Sequence, residues 1–480
     1  MIEKIIPVEI PPGIVKNGTL YQRANRWSDG NLVRFVDGRP RALGAAFSLS
    51  FTPSAPNTGR PLGAFSYLNS SLHGCVVYGS QVGGTTKVYH LTEQTLGTVA
   101  SVSDITPASP NGAGSFQADY INGKIVFCFK GGSIFESTGP GVAGTDTGAP
   151  SASTLVVTPE RFLVSATDFK VSWASQGTTT TWTPSSTNSA GSLDLIGAGR
   201  IVSARVVRGQ TLIWTSDGLW GLNYVGAPLY YGATLLGKGC GAIAARSVKV
   251  AANGMAFWMT ERGFMSFDGY ARPLRGDLDE YVFGDINGAM RDRIFAVANH
   301  PANEIWWFYP SSAATDTSGP DRMVIYNHKE DVWSLGTLSR SAGADAGYWS
   351  GTSVAASGAT LPVLLDADGS HVYAHDADGV LSGAYIESGP LMLDPAGNDL
   401  VRVQKFVPDN NQTTAAENLT LYRGTWPKVA ETNTVYSIPA AGGEMDVRDI
   451  ARYVRFRQEL TRSDSRIGTP RIGVLKDAKK

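Results

Sequence analysis

Charge is scarce in this sequence. Lys and Arg number 41 and Asp and Glu 42 among 480 residues, so only 17% are charged and the formal net charge is −1. A chain so balanced has no overall field to draw it onto nucleic acid or anionic lipid. Cysteine is scarcer still. Cys75, Cys128 and Cys240 lie far apart and lack the paired spacing of a zinc site or redox motif, so buried free thiols are expected. No apolar run approaches the length of a membrane span. The opening MIEKIIPVEIPPG is broken by prolines and glutamates where an export signal needs an uninterrupted apolar stretch, which places synthesis and residence in the cytoplasm of the producing cell.

Motifs that carry chemistry are equally sparse. There is no G-x-S-x-G nucleophile elbow, no G-x-x-x-x-G-K-[ST] phosphate loop and no H-E-x-x-H, and LLGKGCGAIA around Lys238 has the wrong spacing to cradle phosphate. Of the six histidines, His371 and His375 stand four apart in HVYAH. On a helix they would chelate, but at a strand rise of roughly 3.3 Å their side chains stand about 13 Å apart. DADGS at 366–370 and DADGV at 376–380 open like calcium loops but lack the later acidic ligands, so both read as hairpin turns. Asp277, Asp279 and Glu280 form the densest acidic group and read as a solvated loop or helix start, although carboxylates from distant strands remain an open route to glycoside cleavage. No catalytic, cofactor-binding or metal-ligating residue is assigned, and the chain reads as non-enzymatic.

Gly (55) and Pro (25) are plentiful but scattered, as in a chain of many turns, and 42% hydrophobic residues suffice for an ordinary core. The dominant pattern is an apolar strand, a polar turn and a second strand with aromatic or aliphatic alternation. It recurs from near Cys75, Lys124, Arg161, Leu212, Met255, Ile305 and Pro362. Spacings of roughly 40 to 60 residues are those of propeller blades, and hairpins packed radially shield one another. The fold class is therefore all-β, a β-propeller-like ring of about seven blades, with a pair of stacked sandwiches as the alternative. Residues 1–48 read as an arm of tight turns at Asn17-Gly18, Asp29-Gly30 and Asp37-Gly38 that packs on the propeller. Residues 49–388 read as the ring, with a short helical insertion near 278–295 broken at Gly284 and Gly288, and residues 389–480 as a small C-terminal β-sandwich. Trp306 and Phe308 share one strand face and Trp307 and Tyr309 the other. Together with Trp214, Trp220, Trp258 and Trp333 they read as packing between blades, with a sugar platform or subunit contact as the alternative. The arm residues Arg23, Arg26 and Arg34 and the C-terminal Arg452, Arg455 and Arg457 are candidate partner contacts.

The phrases PPGIVKNGTLYQRANRWSDGNLVRFVDGRP, RGQTLIWTSDGLWGLNYVG, NGMAFWMTERGFMSFDG and DRMVIYNHKEDVWSLG, in that order, resemble the tail hub, nozzle and packaged-DNA stabilisation proteins of short-tailed bacteriophages. The closing ARYVRFRQEL and SDSRIGTPRIGVL resemble the last sandwich strands of such proteins. The resemblance implies a structural virion protein, a homohexamer extending the DNA channel below the portal and adaptor. It implies neck proteins above, fibres or distal tail proteins below, transient sequence-independent contact with DNA, retention of the packaged genome and guidance of its ejection. It places the chain in the virion tail after assembly in host cytoplasm, where no export signal is needed. The competing reading is a carbohydrate-binding or polysaccharide-degrading propeller at the virion surface. A weaker third is a host propeller used as an interaction scaffold.

Overall fold

Seven antiparallel four-stranded sheets, rather than two stacked ones, account for most of the chain. The computed structural model describes residues 4–48, 59–69, 74–95, 98–197, 199–345, 361–393, 400–409, 417–426, 429–438, 443–462 and 465–476. Blade 1 runs from Arg60–Leu68 to Thr98–Asp104, blade 2 from Phe116–Ile121 to Thr145–Asp146 and blade 3 from Thr154–Val157 to Gly191–Asp194. Blade 4 runs from Ile201–Val207 to Tyr230–Lys238, blade 5 from Lys249–Val250 to Ala271–Pro273 and blade 6 from Phe295–Asn299 to Val332–Thr337. Blade 7 takes three strands from Ala342–Ala344, Val363–Leu365 and Val372–Ala377. The first strand of each blade is innermost, and these strands pack around a common axis, blade 7 against blade 1. The fold is a seven-bladed β-propeller.

The sequence repeats at Lys124, Leu212 and Ile305 mark the second strands of blades 2, 4 and 6, whose residues are almost all buried. In Glu304–Tyr309 all six side chains are enclosed, because neighbouring blades cover both faces. Trp307 packs on Phe264 of blade 5, with ring centroids 5.0 Å apart, and Trp306 faces His375 of blade 7 at 6.4 Å. The period-two expectation for the aromatics thus becomes blade-to-blade packing. Trp214, Trp258 and Trp333 are likewise buried, and Trp220 is partly so. Cys75, Cys128 and Cys240 are buried and form no disulfide among the described residues.

The fourth strand of blade 7 is Ala45–Ser48, which the sequence reading placed in the arm. Ser48, Phe47 and Ala46 pair with Tyr373, Ala374 and His375. The ring is closed by a segment more than 300 residues away in sequence. Earlier arm residues serve the C-terminal sandwich: Lys4–Pro7 joins the sheet of Arg471–Lys476, Val401–Val407 and Met445–Ala451, and Trp27–Asn31 joins the sheet of Tyr385–Ser388, Tyr453–Glu459, Glu417–Gly424 and Thr432–Ile438. The sandwich therefore begins before residue 389 and is completed by the N-terminus. Its core packs Trp27 and Phe406 against Phe456 and is continuous with that of blade 6.

Between these duties the arm runs along blade 6. Ile14 N donates to Trp333 O at 2.8 Å and Leu32 N to Leu335 O at 3.0 Å, which caps an outer strand that would otherwise be an open edge. Asp37 and Gly38, both at positive φ, turn Val33–Val36 back onto Arg39–Ala42 as a two-residue hairpin. Asp29-Gly30 is not a turn. It lies inside Trp27–Asn31, beside a bulge. The stretch near 278–295 forms the helix Asp279–Asp285 and a 3-10 segment Gly288–Arg293 between blades 5 and 6.

Gly44 sits where the arm enters blade 7, and a Cβ there would lie 2.6 Å from Ala377 O and 2.7 Å from the Asp376 carbonyl carbon. Backbone cannot yield as a flexible side chain can. Gly44→Ala is expected to destabilise the protein by about 1–3 kcal/mol, read as a lower denaturation midpoint.

Candidate functional site

Two polar clusters stand out, one on the ring axis and one where the arm meets the ring. On the axis a cavity of about 420 Å³ is bounded by all seven blades. Its charged groups are paired across blades. Gln117 Oε1 accepts from Thr154 Oγ1 at 2.7 Å and from Arg205 Nη1 at 3.2 Å, and Asp119 accepts from Val157 N at 2.8 Å. Lys249 Nζ lies 2.7 Å from Asp345 Oδ1, which also accepts from Ala298 N at 2.9 Å. Arg246 donates to Ser341 O and Arg293 O. Burial raises the Asp119 pKa, lowers that of Arg205 and brings Arg246 down to about 10. These residues fasten innermost strands to one another.

At the arm, Arg34 is inserted between blades 6 and 7. Its Nη1 donates to Asp376 Oδ2 at 2.7 Å, and its Nη2 lies 3.1 Å from Glu304 Oε2. Asp376 also accepts from Asn299 Nδ2 at 2.8 Å and from Gly44 N at 3.1 Å. Burial works against the charges of Arg34 and Asp376, but their pairing wins, holding the arginine above and the aspartate below its ordinary value. Glu304, 1% exposed, is different: burial raises its pKa to about 7 despite Arg34. Sequence reasoning singled out Arg34, as a contact for a partner, but not the residues that hold it. A second visible signal was a glutamate heading the apolar run EIWWFY. Asp376, read as a turn residue, instead lies inside the strand Val372–Ala377 at a bulge with φ 69°, and its carboxylate reaches Arg34.

The six candidate arginines fall in different settings. Arg34 and Arg455 lie inside the chain, the latter between Glu387 and Glu431, which leaves little of either for a partner. Arg26 reaches Asp277 at 3.9 Å, so the acidic group at 277–280 helps hold the arm. Asn17 strengthens that hold, since its side chain donates to Gly276 O and accepts from Glu280 N at 3.1 Å. Arg23 is half-buried on a 3-10 turn. Arg452 stacks over Trp426 at 3.9 Å and Arg457 over Tyr385 at 3.4 Å, both on the sandwich and half-buried. The structure does not bring the six together as one surface.

His371 pairs with Asp366 at the solvent edge, whereas His375 is fully buried and accepts from Arg340 Nε at 3.1 Å, which keeps its pKa well below the ordinary value through burial and like charge. Among the described residues, no three His, Cys, Asp or Glu side chains group to hold a metal ion. No described helix is long and apolar enough to cross a membrane.

No protein-family model matches the chain, and no curated protein matches it. Solved β-propellers do. The WD40 domain of Toxoplasma gondii coronin is 10% identical, covering 72% of this chain and 87% of its own, with a TM-score of 0.40. An α-L-arabinanase from Penicillium chrysogenum is 10% identical over 69% of this chain and 98% of its own, TM-score 0.32, and YCF48 from Cyanidioschyzon merolae is 12% identical over 70% and 99%, TM-score 0.31. Likenesses this distant carry no argument about activity.

Removing the arm guanidinium would strand the buried Asp376 carboxylate and take from Glu304 the charge it faces. Arg34→Met is expected to destabilise by about 3–5 kcal/mol. Arg457→Ala, at a half-exposed stack, should cost about 1 kcal/mol or less, and chemical denaturation of the two variants side by side measures the contrast.

Proposed function

We propose that the chain is a non-catalytic structural protein of a short-tailed phage tail, a hub or nozzle subunit that assembles as a homohexamer and lines part of the DNA path. The observation that carries this reading is that the segment bearing the most distinctive resemblance, residues 11–40, is the one that ties the sandwich to the ring. A body stitched in this way suits a part that must carry load without changing shape. The axial cavity of about 420 Å³ is far too small for a duplex whose major groove alone is about 12 Å wide. The DNA path in this reading therefore runs between subunits, with neck proteins and fibres on outer surfaces.

Blade 4 offers a surface for such contacts. Its outer hairpin, Gly218–Gly226 and Tyr230–Lys238, outruns the second strand, whose last partner is Leu222. Residues 218–237 contain no charge, and Val225 and Leu229 are 57% and 70% exposed. Long uncharged edge strands are usually guarded or covered, and exposed apolar patches mark contacts. In mass photometry the purified protein is expected to form a hexamer-sized species that Val225→Asp with Leu229→Asp reduces to monomer without changing the monomer's melting. A wild-type monomer that never joins particles would overturn the reading.

One observation favours the carbohydrate alternative. Half-exposed Tyr224 belongs to an aromatic group with Phe162, Tyr230 and Tyr231, and Tyr231 hydroxyl donates to Glu160 at 3.0 Å. Release of reducing ends from host polysaccharide by wild type, and not by Glu160→Gln, would establish that reading in place of the first.

A further inference from the structure

The clasp at Arg34 holds two carboxylates and one guanidinium, and its hydrogen bonds do not close. Asp376 has a donor for each oxygen. Glu304 does not: Oε2 takes Trp306 Nε1 at 2.8 Å and faces Arg34, while Oε1 is buried and accepts nothing. Asn299 has the same fault, since its Nδ2 serves Asp376 while its Oδ1 is buried without a donor. These two residues stand directly opposite each other in the first two strands of blade 6, a pairing that puts both side chains on one sheet face with Cβ atoms about 4.5–5.5 Å apart. Each enclosed acceptor without a donor is costly, and Arg34 Nε and Nη2 in the same cluster are likewise buried without a hydrogen-bond partner. A proton on Glu304 Oε1 would satisfy both acceptors by donating to Asn299 Oδ1, its cross-strand partner, and would make Arg34, Asp376 and Glu304 together neutral.

We propose that Glu304 carries that proton when the arm is clasped, so that the arm's hold on blades 6 and 7 is tight while the proton is in place and loosens when it leaves. The idea does not depend on the tail reading.

The charges around Glu304 agree. Arg34 comes from the arm and favours ionisation. Asp376 from blade 7 and Glu330 from the third turn of blade 6 oppose it, and Glu330 is itself held by Asp37 N and Gly38 N of the arm hairpin. Lys329 and Asp37 line the same shallow pocket and carry opposite charges. His375, beyond Trp306, is neutral in its buried place beside Arg340 and adds no charge. Loss of the proton would leave two buried carboxylates sharing one guanidinium, beside a bare asparagine oxygen. The strand released first would be Ala45–Ser48, whose lead-in residue Gly44 hangs from Asp376.

The sign follows from linkage. The folded protein keeps a proton that the unfolded chain gives up near the ordinary glutamate value of 4.5, so this stabilisation is full below that pH and is lost as pH rises to about 7. Hydrogen-exchange protection of residues 45–48 and 372–377, corrected for intrinsic rates, tests it in the full chain. Wild-type protection should fall by up to about tenfold per pH unit between roughly pH 5 and pH 7. Glu304→Gln, whose amide can donate to Asn299 and still accept from Trp306, should show no such slope. Equal slopes in the two proteins, or a flat wild type, would overturn the proposal. Infrared spectroscopy gives a second readout. Burial also raises the carboxyls of Asp119 and Asp279, so the carbonyl stretch that counts is the part Glu304→Gln removes: it should be present at about pH 5.5 and gone by about pH 8.5, and its absence at the lower pH would also overturn the proposal.

Discussion

A ring of hairpins has no natural end, and the pairing of Ala45–Ser48 with Val372–Ala377 is what makes this one close. Each inner blade is covered on both faces by its neighbours, so none of that packing is complete until blade 7 meets blade 1 and gains its outer strand. The closing strand is short and partly exposed, and four residues of ladder would hold poorly alone. Buried charge reinforces it. Arg34, eleven residues before that strand begins, enters between blades 6 and 7 and lies against a carboxylate from each.

The same segment couples ring and sandwich. Because Lys4–Pro7 and Trp27–Asn31 belong to the two sandwich sheets while residues 45–48 belong to blade 7, the sandwich cannot swing away from blade 6 without pulling on the closure. The continuous core from Trp306 and Trp307 through Trp27 to Phe456 points the same way. Polar residues reinforce the ring as well: Gln117, Asp119, Lys249 and Asp345 each bridge blades along the axis.

Seven blades were legible because the second and third strands of each carry dense aliphatic and aromatic runs bounded by turn residues, as in KIVFCF and TLIWTSDGLW. The innermost strands were not, since they are short or border a polar cavity, and Lys249–Val250 has only two residues. The closing strand was hidden for a different reason: AAFS has no pattern that names a partner more than 300 residues away. The helical insertion was legible from its charge order, but neither glycine breaks it: Gly284 lies inside the helix, Gly288 opens the 3-10 segment, and the break falls between them at Ile286 and Asn287. Of the candidate site, arginines were recognised as important without their partners. Arg34 and Arg455 are held by glutamates and an aspartate whose positions only the fold reveals, and Asp376 was masked by its likeness to a turn.

Thermal unfolding of a chain that starts at residue 49 tests the closure most directly. The account predicts a large fall in melting temperature with loss of a single cooperative transition, because blade 7 loses its outer strand, both sandwich sheets lose a strand and Arg34 is gone. A truncated chain that melts as sharply and as high as the full one would contradict it.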